Sequence, residues 1–203
     1  MADGGNQEKK IRAFIAAGID LPVLSRIGQL TDKLKKTGAG VKWVRPEAMH
    51  LTLRFLGSIS EEQVDLADRA MIESARLVEP VEVEIKGFGT FPPKKRPRVL
   101  WLGLSAGAPE LTALSEILEG KLAEQGFPPA DKPFSAHLTL GRVKSGRGLK
   151  RAMEVLDSET KKSFGSFTVD ALNLYQSRLH PEGARYTVLA ERALGLGVSV
   201  GDS

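Results

Sequence analysis

The sequence predicts an α+β fold with two pseudo-symmetric lobes, each an antiparallel sheet with helices packed outside, around a central cleft. The tetrapeptide His-Leu-Thr-Leu occurs twice, at 50–53 and 137–140, with the copies 87 residues apart. The surrounding pattern repeats at an offset of 86 to 87 residues, so that Phe88 matches Leu174 and Arg98 matches Arg185. Two copies of a long unit predict paired lobes, not a solenoid, which needs at least three repeats.

Local patterns define the elements of the first half. Asp20 and Pro22 mark a helix start, and Gly38 marks its end. Ser60 followed three residues later by Gln63 resembles a capping box that begins a second helix. The predicted elements are strand 11–19, helix 20–38, strand 41–44, the first motif strand through residue 57, a helix from 60 to about 78, and strand 81–85.

The second half repeats this order of elements. Gly126 ends a leucine-rich helix that begins near Ala108, and a proline-rich loop then leads to the second motif. The predicted elements are strand 99–104, helix 108–126, the second motif strand, a helix over about 149–157, strand 167–176, a turn at 180–183, and strand 185–191. We therefore predict a single bilobal domain over residues 1–203, with disordered tails at about 1–9 and 195–203.

Composition excludes several classes of protein. The chain has 203 residues and no cysteine, which excludes disulfides, thiolate nucleophiles and cysteine-ligated zinc. No apolar run approaches the roughly 18 residues of a membrane span, so we expect a soluble, cytoplasmic protein without a membrane partner. The net charge of +4 and the pI of about 9.3 favour polyanionic partners.

The two motifs place a histidine and a threonine on one face of a strand. Side chains alternate between faces in an extended strand, so His50 and Thr52 point one way and the leucines of the motif point into the core. The same holds for His137 and Thr139, and in both copies a proline lies four residues before the histidine. The two His-x-Thr faces are predicted to meet across the cleft.

This pairing is suited to phosphoryl transfer. One imidazole deprotonates a nucleophile while the other protonates a leaving group on the opposite side of phosphorus. The hydroxyls of Thr52 and Thr139 can donate to the non-bridging oxygens, and Arg142, which follows the second motif, can neutralise the phosphate. No carboxylate–histidine cluster has metal-ligand spacing, so no metal is invoked. Phe55 and Trp101 fit core positions, although an aromatic ring near the cleft could stack on a base, and Phe55 is for this reason a candidate substrate-binding residue beside Arg142.

The duplicated His-x-Thr, with its Arg-Pro-x-x-x-His and His-Leu-Thr-Leu-Gly-Arg contexts, resembles the two-histidine phosphoesterase superfamily, and more closely the RNA 2′,3′-cyclic phosphodiesterases, also described as 2′-5′ RNA ligase-like proteins. The resemblance covers residues 11 to about 192. It implies cofactor-free opening of a 2′,3′-cyclic phosphate to a 2′-phosphomonoester, with His50 as proton donor and His137 as acceptor, and the reverse 2′-5′ ligation as a further reaction. The implied partners are RNA or nucleotides with cyclic phosphate ends, tRNA fragments among them, and we expect a monomer.

Two alternatives use other features of the sequence. The segment 103–107, Gly-Leu-Ser-Ala-Gly, matches the nucleophile-elbow pattern of serine hydrolases and would make Ser105 a nucleophile. Its counterpart in the first half has no serine, and this reading leaves the duplicated motif unexplained. The second alternative is a protein that binds RNA ends without turnover, although both His-x-Thr pairs are intact.

Overall fold

The computed structural model describes residues 10–93, 96–180 and 184–195, and places in them nine strands and four helices. The elements are β1 (Ile11–Ala17), α1 (Leu21–Lys36), β2 (Val41–Trp43), β3 (Leu51–Ile59), α2 (Glu61–Ala75), β4 (Val81–Phe91), β5 (Val99–Ala106), α3 (Ala108–Glu124), β6 (Leu138–Val143), α4 (Leu149–Glu159), β7 (Gly165–Val169), β8 (Ala171–Arg178) and β9 (Arg185–Ala193). The predicted tails, apart from Gly195, and residues 181–183 of the predicted turn lie outside the described residues.

The strands form two antiparallel sheets, which confirms the predicted α+β class. One sheet has the order β3-β1-β8-β9 and the other has the order β2-β6-β5-β4-β7. Helices α2 and α3 pack together, with α2 against β8 and β9, while α1 packs against α4 and β7. A single cluster of buried apolar side chains includes members from both sheets, such as Ile15 of β1 and Leu102 of β5. Their burial supplies the main stabilisation of the fold.

One inner strand of each sheet comes from the other half of the chain. Strand β4 comes from the first half but lies between β5 and β7, in the sheet of the second motif. Its counterpart β8 comes from the second half but lies between β1 and β9, in the sheet of the first motif. The predicted match of Phe88 with Leu174 is therefore a match between exchanged strands, because Phe88 pairs with Leu102 and Leu174 pairs with Ile15.

The prediction of one strand over 167–176 is wrong. The chain makes two strands there, and the break is at Asp170. Strand β7 pairs with β4 in one sheet, whereas β8 pairs with β1 and β9 in the other. Buried positions alternate or cluster on both sides of the break, at Phe167 and Val169 and again at Leu172 and Leu174. Hydrophobic pattern alone therefore does not reveal that the partner strand changes.

Helix ends follow the capping residues that the sequence offers. The capping box of α2 is present, since Ser60 Oγ accepts from the amide of Gln63 and the Gln63 side chain accepts from the amide of Ser60. Helix α1 ends two residues before Gly38, whose φ of +68° favours glycine. Asp20 precedes α1 in extended conformation, but its side chain makes no cap hydrogen bond. None of the four helices in the described part of the chain is long and apolar enough to cross a membrane.

Candidate active site

The two motifs meet at one cleft. His50 and His137 each lie at the residue just before a strand, β3 or β6, and Thr52 and Thr139 are the second residues of those strands. The intervening leucines are buried, as the alternation of side chains predicts. Both histidines and both threonines line a cleft of about 340 Å³. The residues that line this cleft with them include Arg12, Phe14, Phe55, Arg142, Ser177 and Tyr186.

A backbone carbonyl sets the tautomer of His137. The Nδ1 atom lies 2.7 Å from the carbonyl oxygen of Ser135, which can only accept a hydrogen bond. In the neutral ring the proton is therefore on Nδ1, and Nε2 is free to accept a proton. Burial lowers the pKa of His137, the hydrogen bond to Ser135 opposes this, and the positive charge of Arg142 lowers the pKa further. The ring is consequently neutral at pH 7.

His50 has an equivalent backbone hydrogen bond, and its ring is more deeply buried than that of His137. Burial lowers the pKa of His50 from 6.5 to about 4, and a hydrogen bond with the backbone of Ala48 opposes the shift. A hydrogen bond that raises the pKa of imidazole is one that the ring donates, so the acceptor is the carbonyl of Ala48. Ala48 and Ser135 each lie two residues before their histidine. The two rings are thus held in the same way at pseudo-symmetric positions.

Aromatic rings surround His50, and the sequence did not predict them as site residues. His50 stacks on the buried ring of Phe14, with centroids 4.6 Å apart, and meets the edge of Tyr186 at 5.1 Å. On the other side of the cleft, His137 meets Phe91 at 5.0 Å in an edge contact. These rings fix the imidazole planes and remove water from around them, which is the source of the low pKa values.

Phe55 and Arg142 occupy equivalent positions, each five residues after its motif histidine. The prediction that Phe55 lies in the core is wrong, because its side chain is 63% exposed and lines the cleft. Arg142 is also exposed and lines the cleft from the other motif strand. At this pair of equivalent positions, the cleft therefore carries an apolar ring on the side of His50 and a cation on the side of His137.

Arg12, Tyr186 and Ser177 also line the cleft, and sequence reasoning did not identify them. Arg12 is embedded in an apolar strand, and Tyr186 and Ser177 lie on strands β9 and β8, far along the chain from either motif. Only the exchange of β8 into the sheet of β1 brings Ser177 and Tyr186 to His50. No spacing rule within one half of the chain gives that arrangement.

The low pKa of His50 predicts a loss of stability at acid pH that depends on this residue. The unfolded chain binds the proton more tightly than the folded chain, so stability falls as the pH goes from 6.5 towards 4. At pH 4.5 the loss is about 2 to 3 kcal/mol. Urea unfolding at pH 7.5 and pH 4.5 measures it: in His50→Gln, the difference between the two pH values should shrink by that amount. Equal pH dependence in both proteins would contradict the prediction.

Arg54 links the first motif strand to the loop before the second motif. Its side chain is 10% exposed, and its Nε atom lies 2.8 Å from Oε2 of Glu119 on α3. A second guanidinium nitrogen donates to the carbonyl of Pro128. Glu119 in turn accepts from the amide of Ala130 at 2.7 Å. Since Pro128 and Ala130 belong to the segment that leads to His137, this network fixes one motif relative to the other.

Replacing Arg54 by methionine is expected to lower kcat/KM about tenfold, because small displacements of reacting groups are costly even when the mutation lies away from them. The hydrolysis rate of a 2′,3′-cyclic nucleotide, the substrate that the sequence resemblance implies, measures the effect. Lys121→Met is the matched control, because Lys121 lies on α3 like Glu119 and makes ion pairs with Glu73 of α2 and with Glu124. It should change kcat/KM less than twofold. A wild-type kcat/KM in Arg54→Met would show that the network only stabilises the fold.

The remaining sequence candidates lie elsewhere. Ser105 is the seventh residue of β5, and its hydroxyl donates to the carboxylate of Glu84. Ser105 is not among the residues that line the cleft of His50 and His137. In the part of the chain that the structure describes, no three histidine or carboxylate side chains are grouped as metal ligands would be.

Comparison with known proteins shows which family this chain matches. The model of the LigT like Phosphoesterase family matches the chain twice, over residues 19–101 and 102–186. An RNA 2′,3′-cyclic phosphodiesterase of Methanothermobacter thermautotrophicus is 34% identical over 179 residues, covering 88% of this chain and 96% of the relative. The RNA 2′,3′-cyclic phosphodiesterase of Aquifex aeolicus is 35% identical over 191 residues, covering 92% of this chain and 99% of the relative.

Solved structures also superpose on this chain over most of its length. A crystal structure of a protein from Thermus thermophilus superposes with a TM-score of 0.75 at 29% identity, covering 91% of this chain and 98% of that one. The crystal structure of E. coli LigT complexed with 3′-AMP superposes with a TM-score of 0.69 at 25% identity, covering 92% and 99%.

Proposed function

This chain belongs to the LigT-like phosphoesterase family, and we propose that it hydrolyses the 2′,3′-cyclic phosphate at the end of an RNA to a 2′-phosphomonoester. The observation that carries the proposal is the meeting of two His-x-Thr pairs at one cleft, with Arg142 beside them. Two imidazoles on opposite sides of one phosphorus atom supply a general base and a general acid together. The curated relatives described above are named for this activity.

His137 acts as the general base in the proposed mechanism. Its Nδ1 proton is held by the Ser135 carbonyl, so Nε2 is available to take a proton from a water molecule. The low pKa of His137 keeps this nitrogen unprotonated at pH 7. The water oxygen attacks phosphorus as Nε2 takes the proton, and the bond between phosphorus and O3′ breaks.

His50 acts as the general acid and donates its proton to the departing O3′. The products are a 2′-phosphomonoester and a free 3′-hydroxyl. With a pKa of about 4, the free protein holds His50 neutral at pH 7. Binding of the substrate raises the pKa of His50, because a phosphodiester anion within a few ångströms favours the charged imidazole. The acid is therefore formed when the substrate binds.

Thr52, Thr139 and Arg142 stabilise the phosphoryl group in this mechanism. The threonine hydroxyls donate to non-bridging oxygens from the two motif strands. Arg142 brings positive charge from the side of His137, where the attacking water enters. Fixed donors and charges of this kind stabilise a transition state because they need no reorganisation during the reaction.

The aromatic side of the cleft holds the nucleoside. Phe55 is exposed at the cleft on the lobe of His50, and an exposed ring stacks on an unpaired base without selecting its sequence. The nucleoside carries O3′, the leaving group, so its place beside Phe55 puts O3′ towards His50. This asymmetry supports His50 as donor and His137 as acceptor.

The substrate class of the protein is RNA or nucleotides with 2′,3′-cyclic phosphate ends, and tRNA fragments are candidate natural substrates. The protein is proposed to act as a monomer and as one bilobal domain. The presence of both histidines, both threonines and Arg142 in one chain supports this. With the 5′-hydroxyl of a second RNA in place of water, the same site forms a 2′-5′ phosphodiester as the bond between phosphorus and O3′ breaks and O3′ takes a proton, although hydrolysis dominates in water.

The test is a short RNA ending in a 2′,3′-cyclic phosphate, incubated with the protein in excess EDTA and followed by phosphorus NMR. We expect the wild type and Ser105→Ala to form the 2′-monophosphate. We expect His50→Ala and His137→Ala to form almost none. Product that requires an added metal ion, or a 3′-monophosphate, would overturn the proposed mechanism. Binding without turnover under every condition would favour a protein that only binds RNA ends.

A further inference from the structure

We infer that the protein binds the RNA chain behind the cyclic end through a basic surface that begins at the cleft and extends over α1 and α4. This inference rests on the proposed function and adds to it. The preferred substrate becomes an RNA of several nucleotides, whose phosphates on the 5′ side of the reacting end contact the protein outside the cleft.

The basic surface consists of the lysine and arginine side chains of segments 35–45 and 142–151. These two segments hold nine of the 29 lysine and arginine residues of the chain and no aspartate or glutamate. All nine side chains belong to exposed residues. The nearest acids along the chain, at the ends of these segments, are Asp32, which pairs with Lys35, together with Glu47 and Glu154.

Hydrogen bonds join the two segments into one continuous surface. Lys42 of β2 pairs with Arg142 of β6. The amide of Gly40 donates to the carbonyl of Arg147 at 2.8 Å, and the amide of Lys144 donates to the carbonyl of Gly40 at 2.7 Å. Because Arg142 lines the cleft from the motif strand opposite that of Phe55, an RNA whose terminal base stacks on Phe55 turns back across the mouth of the cleft to follow this surface, which starts beside the reacting phosphate. Lys144 lies two residues farther along, about 7 Å at the rise of a strand.

Two features at the start of α4 favour the binding of an anion. Lys150 and Arg151 lie in the first turn of the helix, where the helix dipole disfavours positive charge. The N-cap residue is Gly148, so no side chain caps the first amides. Both features cost stability in the free protein, and both become favourable when a phosphate binds there. The charge of the surface and the uncapped helix start thus favour the same ligand, a phosphate chain.

A polyanion bound this way gives an affinity that depends on salt. Each phosphate contact with single-stranded nucleic acid contributes about 0.7 to the slope of log affinity against log salt. Mononucleotides fill only the cleft and do not reach Lys144 or the start of α4. The surface therefore discriminates RNA from mononucleotides, without reading base sequence.

The test measures binding of an RNA dodecamer that carries fluorescein at its 5′ end and a 2′-phosphate at its 3′ end, by anisotropy across a range of salt. The variant K144S/R147S removes two cations of the basic surface. The control R69S/R76S removes two exposed cations from the other lobe, on α2 and at its end. We expect K144S/R147S to lower the salt slope by about 1.4 and to weaken binding about 20-fold at 0.1 M salt. The control should match the wild type.

A second measurement separates this inference from the proposed function. For a nucleoside 2′,3′-cyclic phosphate, kcat/KM should stay within twofold in both double variants. Absence of turnover in the wild type would overturn the proposed function, while the binding assay would still report on the surface. An unchanged slope in K144S/R147S, or the same change in the control, would overturn the inference. Binding to phosphatidylserine vesicles that needs Lys144 and Arg147, with RNA binding unaffected, would overturn it too.

Discussion

Replacing His137 by alanine is expected to lower kcat/KM for a 2′,3′-cyclic nucleotide by about 10² to 10⁴-fold, the range of one general base. The removed ring is the one whose Nε2 is left free by the Nδ1 contact with Ser135. Thr139 and Arg142 remain, so substrate binding should change much less than kcat. Initial rates of 2′-monophosphate formation at pH 7 measure the effect.

Two controls accompany His137→Ala. Added imidazole should restore part of the rate, because the lost group is a proton acceptor and the substitution leaves a space for it. In addition, the double variant His50→Ala/His137→Ala should be little slower than either single variant, since groups that act as a unit are not additive. A fully active His137→Ala, or a double loss equal to the product of the single losses, would contradict the paired mechanism.

Replacing Arg142 by glutamine is expected to lower kcat/KM about 10²-fold, the cost of losing one preorganised charge at a developing anion. The same change should move the pH profile. Because the charge of Arg142 lowers the pKa of His137, its loss raises that pKa. The base must be neutral, so the acid limb of the kcat/KM profile should shift to higher pH. Rates measured from pH 4.5 to 8 report both effects.

Arg142→Lys keeps the charge and removes the planar guanidinium. We expect it to keep the acid limb where it is in the wild type, while kcat/KM stays below the wild-type value because a lysine cannot bind phosphate through two parallel N–H groups. Arg69→Gln removes an exposed cation from α2 and should leave rate and profile unchanged. An acid limb that does not move in Arg142→Gln would show that Arg142 does not act on His137.

Local sequence signals predicted most of the fold. The capping residues of α2 and the glycine that follows α1 encode their helices through backbone hydrogen bonding and dihedral preference. The two motifs encode their own strand faces through alternation. Each of these signals lies within a few residues of the structure that it determines.

Other features depend on distant contacts and could not be predicted in this way. The division of 167–176 into β7 and β8 depends on the distant strands with which each part pairs, β4 for β7 and β1 for β8. The approach of Tyr186 to His50 depends on that same division, because Tyr186 lies on β9, which pairs with β8. Phe55 has the sequence of a core strand residue, yet it is exposed at the cleft, because the register of β3 against β1 shifts between Thr52 and Arg54 and the extra residue changes which face the following side chains occupy. These properties are set by topology, for which the local sequence holds no signal.

The exchange of β4 and β8 also bears on how a chain of this kind arose. A chain consisting of one half would carry a single histidine motif and one strand whose place is in a neighbour's sheet. Two such chains would complete each other by trading that strand, and the product would be a symmetric dimer with both histidines at its interface. In a single chain each half is free to differ from the other, and the equivalent positions five residues after the two motif histidines indeed hold a phenylalanine and an arginine.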